Sequence, residues 1–190
     1  MPLYTVMMMS FRLPFARGFA ATLALVASAQ AYAQTTTGTL RVAIVPRLSL
    51  VKTADLDFGE VMASASTPGT VTVSVTGART AGGGAALAGG ASSAGGFSGQ
   101  GTRNQIVVFS FGAPSVTLTR VGGTQTMQAD NFVLGASISG GLNDLGNSGR
   151  WRIVSNDGAF SLPVGATLRV GASQAPGIYE GTFTLTAIYQ

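Results

Sequence analysis

Gly69-Thr-Val-Thr-Val-Ser-Val-Thr-Gly77 is the stretch that decides the fold. Val71, Val73 and Val75 fall on one side of an extended chain, and Thr70, Thr72, Ser74 and Thr76 on the other. A period of two with β-branched residues on both faces predicts a half-buried antiparallel strand. Outward from it the pattern repeats. Thr39-Leu-Arg-Val-Ala-Ile-Val45 places Leu40, Val42 and Ile44 together on one side. Further strands are expected at 48–52, 56–62, 105–111, 115–121, 126–134, 150–155, 159–162, 167–170 and 178–189. Turn residues separate them: Thr67-Pro-Gly69, Gly112-Ala-Pro114, Gly122-Gly123, Gly140-Gly141, Pro163 and Ala175-Pro-Gly177. Asn156-Asp-Gly158 predicts a tight hairpin between its flanking strands. No helical stripe with caps occurs after residue 34. Many short strands at this spacing imply an all-β sandwich or barrel.

Residues 77–101 break the pattern, with ten glycines, seven alanines and a single charge, Arg79. Their composition predicts a surface loop carrying a short strand near residues 85–87. A phosphate-cradling reading fails because no Lys-Ser/Thr and no strand-to-helix context follows.

The composition narrows the chemistry. The chain has 190 residues with no Cys and no His, 9% charged residues, 27 glycines and a net charge of +4. Missing cysteine removes disulfides, thiolate zinc sites and Cys nucleophiles. Missing histidine removes the commonest general base and metal ligand. Serine would then need a lysine base, and the only lysine is Lys52. The seven carboxylates stand in no catalytic context. The expectation is a protein that is not an enzyme and takes no cofactor.

The amino terminus reads as a targeting segment. Arg12 and Arg17 precede the uncharged run Gly18-Phe-Ala-Ala-Thr-Leu-Ala-Leu-Val-Ala-Ser-Ala29, and Ala31 and Ala33 form an Ala-x-Ala ending. This is the pattern of a secretory signal peptide over residues 1–33, cut after Ala33. The run is too short for a membrane anchor, and Gln30 interrupts its end, so the mature chain carries no transmembrane segment. Met1, Met7, Met8 and Met9 are all candidate starts. Removing residues 1–33 takes away Arg12 and Arg17 and lowers the net charge from +4 to +2. The remaining basic residues are spread along the chain, without the clustered charge and interleaved aromatics of a nucleic-acid surface. The expected location is therefore the periplasm, the cell surface or the medium, as one domain spanning residues 34–190.

Two local features carry competing readings. Asp55, Asp57 and Glu60 lie close together in Asp55-Leu-Asp-Phe-Gly-Glu60, but Leu56 and Phe58 interleave them as core residues. The acids then form the solvent side of a strand rather than a calcium loop. Trp151 is either a core residue facing inward with Ile153 or a platform for a sugar ring.

The carboxyl-terminal stretch Gly177-Ile-Tyr-Glu-Gly-Thr-Phe-Thr-Leu-Thr-Ala-Ile-Tyr-Gln190 alternates strictly at its end. Phe183, Leu185, Ala187 and Tyr189 share one face, Gly177 is fourteenth from the end and Tyr189 is penultimate. This resembles the last strand of chaperone–usher pilus subunits. The resemblance implies an incomplete immunoglobulin-like antiparallel β-sandwich of pilin type, in which Phe183, Leu185 and Tyr189 line a strand offered to a periplasmic chaperone or a neighbouring subunit. It implies a donor strand within residues 34–45, carried by Leu40, Val42 and Ile44, and a turn permitted by Gly177. Many such subunits carry a disulfide, which this chain cannot form.

A second resemblance spans residues 40–190. Leu48-Ser-Leu-Val-Lys-Thr-Ala-Asp-Leu-Asp-Phe-Gly59, Ala129-Asp-Asn-Phe132, Val164-Gly-Ala-Thr-Leu168 and Gly177-Ile-Tyr-Glu-Gly-Thr-Phe183 are similar to the bacterial domain-of-unknown-function family 4402. That likeness implies an exported sandwich domain and supplies no activity. The functional expectation is a structural subunit of a surface fibre or coat, assembling by strand addition through self-association or a chaperone. The alternative is a self-contained secreted or surface module that binds carbohydrate or a cell-surface ligand.

Overall fold

The computed structural model describes residues 39–42, 44, 47–137, 139–146 and 149–190. The expected signal peptide, its expected cleavage residues Ala31 and Ala33, the candidate starts and residues 34–38 lie outside the described residues. The chain divides into two units, Met1–Val42 and Ala43–Gln190. The described part of the first, residues 39–42, forms no strand.

The second unit is all-β. Among the described residues its strands are β1 (Ser49–Ala54), β2 (Glu60–Ala63), β3 (Gly69–Val73), β4 (Arg79–Gly83), β5 (Ala85–Gly89), β6 (Gly95–Gln100) and β7 (Ile106–Phe111). They continue as β8 (Ser115–Arg120), β9 (Thr126–Leu134), β10 (Leu142–Asp144), β11 (Arg150–Ile153), β12 (Ala159–Val170), β13 (Tyr179–Glu180) and β14 (Leu185–Tyr189). Every pairing is antiparallel. No helix among the described residues is long and apolar enough to cross a membrane.

The long strand β12 organises the molecule. Phe160, Leu162, Val164, Ala166, Leu168 and Val170 occupy alternate positions along it, and all are buried. One edge of β12 pairs first with β6 and then with β3, while the other pairs with β9. The first sheet runs β1-β6-β12-β9-β8-β13, with β3 and β4 branching from β12. A second sheet, β10-β11-β7-β14, supplies Val107, Phe109, Leu142, Trp151 and Ile153 to a core shared with Phe160 and Leu162. Two layers around a common apolar interior make an antiparallel sandwich. Val71, Val73, Met127, Ala129, Ala166, Leu168 and Val170 form another core, covered by Phe58 and Ala85. Among the described residues, the strands in the layer above this core are a two-stranded ribbon, β2 with β5.

Several expectations need correction. Residues 77–101 are not a loop but contain β4, β5 and β6. Ladder bonds come from the backbone, so glycine-rich strands pair without showing an apolar period. Smallness is even required at Gly99, where an added Cβ would stand 2.4 Å from Phe160 Cζ. Pro163 does not end a strand either. Its carbonyl accepts from Gly135 N–H at 2.8 Å, one position beyond the last paired residue of β9, so its absent N–H falls where that ladder ends. Asn156-Asp-Gly158 does not close a hairpin, because β11 and β12 belong to different sheets. The carboxyl-terminal stretch is not one strand: β13 pairs with β8 and β14 with β7, so the chain changes sheet between them.

Candidate functional site

The incomplete second layer leaves a groove of about 1090 Å3. Its apolar lining includes Val116 and Leu118 from β8, Met127, Ala129 and Phe132 from β9, and Leu168 and Val170 from β12. Residues 55–63 and 174–183 supply the rest of the lining. All four residues of β2 line the groove, and among the described residues β2 pairs only with β5, leaving one edge of this strand without a neighbouring strand there.

Local chemistry fixes the first of these two segments. Asp57 Oδ1 accepts Gly59 N–H at 2.8 Å, a turn that Gly59 permits with φ +65°. Asp57 also exchanges backbone bonds with Ser93. The Arg79 guanidinium then gathers three carbonyls, donating to Phe58 O at 2.6 Å, Glu60 O at 3.3 Å and Gly89 O at 2.8 Å. Phe58 is thereby held in the core while the acids stay exposed. Expected strand 56–62 is strand only from Glu60 onward.

The other segment is pinned by Tyr179. Its hydroxyl donates to Ala175 O at 2.7 Å and accepts from Gln174 Nε2 at 2.7 Å. A tyrosine bonding back to the backbone four residues upstream is a corner device of sandwich folds. Gly177 has φ +148°, and a Cβ there would stand 2.5 Å from Arg120 Nε. Ser173 N–H and Oγ–H donate to Ser64 O and Ala65 O, each at 2.8 Å, tying the two segments together just beyond β2. Phe183 packs on Phe132 at 5.3 Å between ring centroids, with Phe97 and Phe111 adjoining.

The groove is asymmetric in charge. Asp55, Asp57, Glu60 and Glu180 are exposed along it, four of the seven acids in the chain, and no Lys or Arg contributes to its lining among the described residues. Lys52 meets Asp55 at 2.5 Å, an exposed pair worth little. The carboxylates of Asp57, Glu60 and Glu180 enter no ion pair among the described residues. No group of three or more metal-ligating side chains occurs among the described residues.

The residues singled out from sequence separate into three places. Gly177 and Phe183 line the groove. Leu185, Ala187 and Tyr189 face the core beneath the second sheet, and the Tyr189 hydroxyl accepts Thr102 N–H at 2.7 Å. They complete this chain's own sandwich. Leu40, Val42 and Ile44 are 100%, 88% and 91% exposed and belong to no strand. Trp151 is only 6% exposed and lies 5.4 Å from the Phe109 ring, a core residue and not a sugar platform. Leu118, Met127 and Phe132 carry no special signal in the sequence, because nothing in a strand's alternation says whether a second layer covers it.

Compared with known proteins, residues 48–189 match the family model described as "Domain of unknown function (DUF4402)". No curated protein and no solved structure matches the chain. With a match over well more than half its length, the chain belongs to the family of domain of unknown function DUF4402.

Proposed function

We propose that this protein is an exported, non-catalytic structural subunit of a surface fibre or coat, assembling by β-strand addition. The observation that carries the reading is the exposure of Leu40, Val42 and Ile44, three large apolar side chains in strict alternation outside any strand. Full exposure of such a face costs roughly 1.5–3 kcal/mol per side chain relative to burial. A partner that adds this segment to an open edge recovers that energy and gains main-chain hydrogen bonds. The basic leader and apolar run of residues 12–33 support export, and the lack of His and Cys supports a role without catalysis.

The test is the mass distribution of the purified protein by light scattering, with and without Leu40→Ser, Val42→Ser and Ile44→Ser together. The parent should form concentration-dependent oligomers and the triple variant should remain monomeric with unchanged circular dichroism. A parent that stays monomeric at millimolar concentration, or a triple variant that assembles equally well, would overturn the reading. The rival, a self-contained binding module, loses its sugar-stacking candidate with the burial of Trp151. A glycan array that binds the monomer would revive it.

A further inference from the structure

The outer face of the first sheet, opposite the groove, carries a small slot. It has a volume of about 310 Å3 and is lined by residues 72–75 at the end of β3, Asn131 and Val133 of β9, and residues 165–167 of β12. We infer that this slot binds the acetamido group of an N-acetylated amino sugar. The inference does not rest on strand addition, because slot and groove lie on opposite faces of the sheet.

The bulge in β9 shapes the slot. Ala166 and Leu168 of β12 face the core, so Gly165 and Thr167 face outward. Strand β3 flanks one side of β12 and β9 the other, which sets the walls two strand spacings apart, about 9–10 Å between backbones. Gly165 puts no side chain between them. Val75 stands on one wall and Val133, 55% exposed, on the other. Asn131, held at φ +50° by the bulge, lines the same space. Bulges and left-handed non-glycine residues recur at binding sites.

The polar groups narrow the ligand. Ser74 Oγ is occupied by Thr76 Oγ1 at 2.8 Å and by the Ala78 N–H at 3.1 Å. Thr72 Oγ1 and Thr167 Oγ1 share one hydrogen bond of 2.9 Å, which leaves one O–H free to donate. The Asn131 side-chain amide bonds no other described residue and keeps both donor and acceptor. No charged residue lines the slot among the described residues. Asp130 and Arg169 beside it meet each other at 2.9 Å. Arg79, opposite Val73 in register, sends its guanidinium to the carbonyls of Phe58, Glu60 and Gly89.

The ligand that satisfies this set is neutral, with one short apolar piece and one amide. The acetamido methyl packs between Val75 and Val133, its C=O accepts the free threonine O–H, and its N–H donates to Asn131 Oδ1. The volume falls at the lower end of the usual small-molecule range of roughly 300–1,000 Å3, which suits one ring and its substituent.

The test is an amide nuclear magnetic resonance titration of the isotopically labelled protein with methyl N-acetyl-β-glucosaminide. Methyl β-glucoside, which carries a hydroxyl in place of the acetamido group, is titrated in parallel. The first should shift the signals of Val75, Asn131, Val133 and Thr167 saturably, and the second should bind about tenfold more weakly, as for one lost hydrogen bond. Asn131→Gly keeps the left-handed backbone without the amide and should also weaken binding about tenfold. Val133→Lys fills the slot from an exposed position and should abolish binding. Thr117→Ala, exposed on the same face one strand further out, should leave it unchanged.

Equal affinity for the two glycosides would overturn the acetamido assignment, and undiminished binding by Asn131→Gly would overturn the site. Shifts confined to groove residues such as Leu118 and Tyr179, or no shift at near-molar glycoside, would do the same. None of these outcomes bears on strand addition, which is read from the mass distribution.

Discussion

Gly59 and Arg79 show how much one contact holds in place. A Cβ at Gly59 would overlap Arg79 Nη1, at a φ of +65° that disfavours any side chain. Gly59→Ala must therefore displace the guanidinium that gathers the carbonyls of Phe58, Glu60 and Gly89. The expected loss of stability is about 1–3 kcal/mol, read as a lower urea midpoint at unchanged slope. An unchanged midpoint would mean that the three bonds re-form around the methyl group. At this scale the sequence is legible wherever alternation applies. Val71, Val73 and Trp151 are buried as their positions imply, and Asp55, Asp57 and Glu60 face solvent. The acidic rim is not legible, because Glu180 joins Asp57 and Glu60 only when the chain returns to the same groove.

Alternation reports which side of an element faces inward and is silent about its hydrogen-bonding partner. From β13 to β14 the inward residues Tyr179, Phe183, Leu185, Ala187 and Tyr189 keep one parity although the strand changes sheet. The chain turns the corner of the sandwich while its inner side stays inner. In β9 the opposite happens: Met127 and Ala129 face the core at odd positions, then Phe132 and Leu134 at even ones. The register shift against β12 falls between these pairs, and Asn131 there has φ +50°. A one-residue bulge reverses parity. Asn131→Val should destabilise by about 1–2 kcal/mol because a β-branched residue resists the left-handed region. Asn131→Gly should cost less, and equal urea midpoints for the two would show that the bulge moves elsewhere.

Across the whole second unit, covering of the first sheet is uneven. One half lies beneath four paired strands, the other beneath residues 55–63 and the ribbon of β2 and β5. A two-stranded ribbon has little independent stability. Amide hydrogens of β2 and β5 should therefore exchange at least tenfold faster than those of β7 and β12 in native-state hydrogen exchange. Uniform protection would show a single cooperative layer and a groove sealed more firmly than its strand count implies. The sequence by itself determined the strand-rich class, the inward faces, the absence of cysteine and histidine side chains, and the apolar alternation of Leu40, Val42 and Ile44. These follow from local sterics and composition, which need no partner. Only the tertiary structure decided that the glycine-rich stretch pairs as strands, that the last strand divides between sheets, and that Glu180 joins the distant Asp55, Asp57 and Glu60 along one apolar groove. Each of those depends on which backbone edges meet, and backbone edges are the same for every residue.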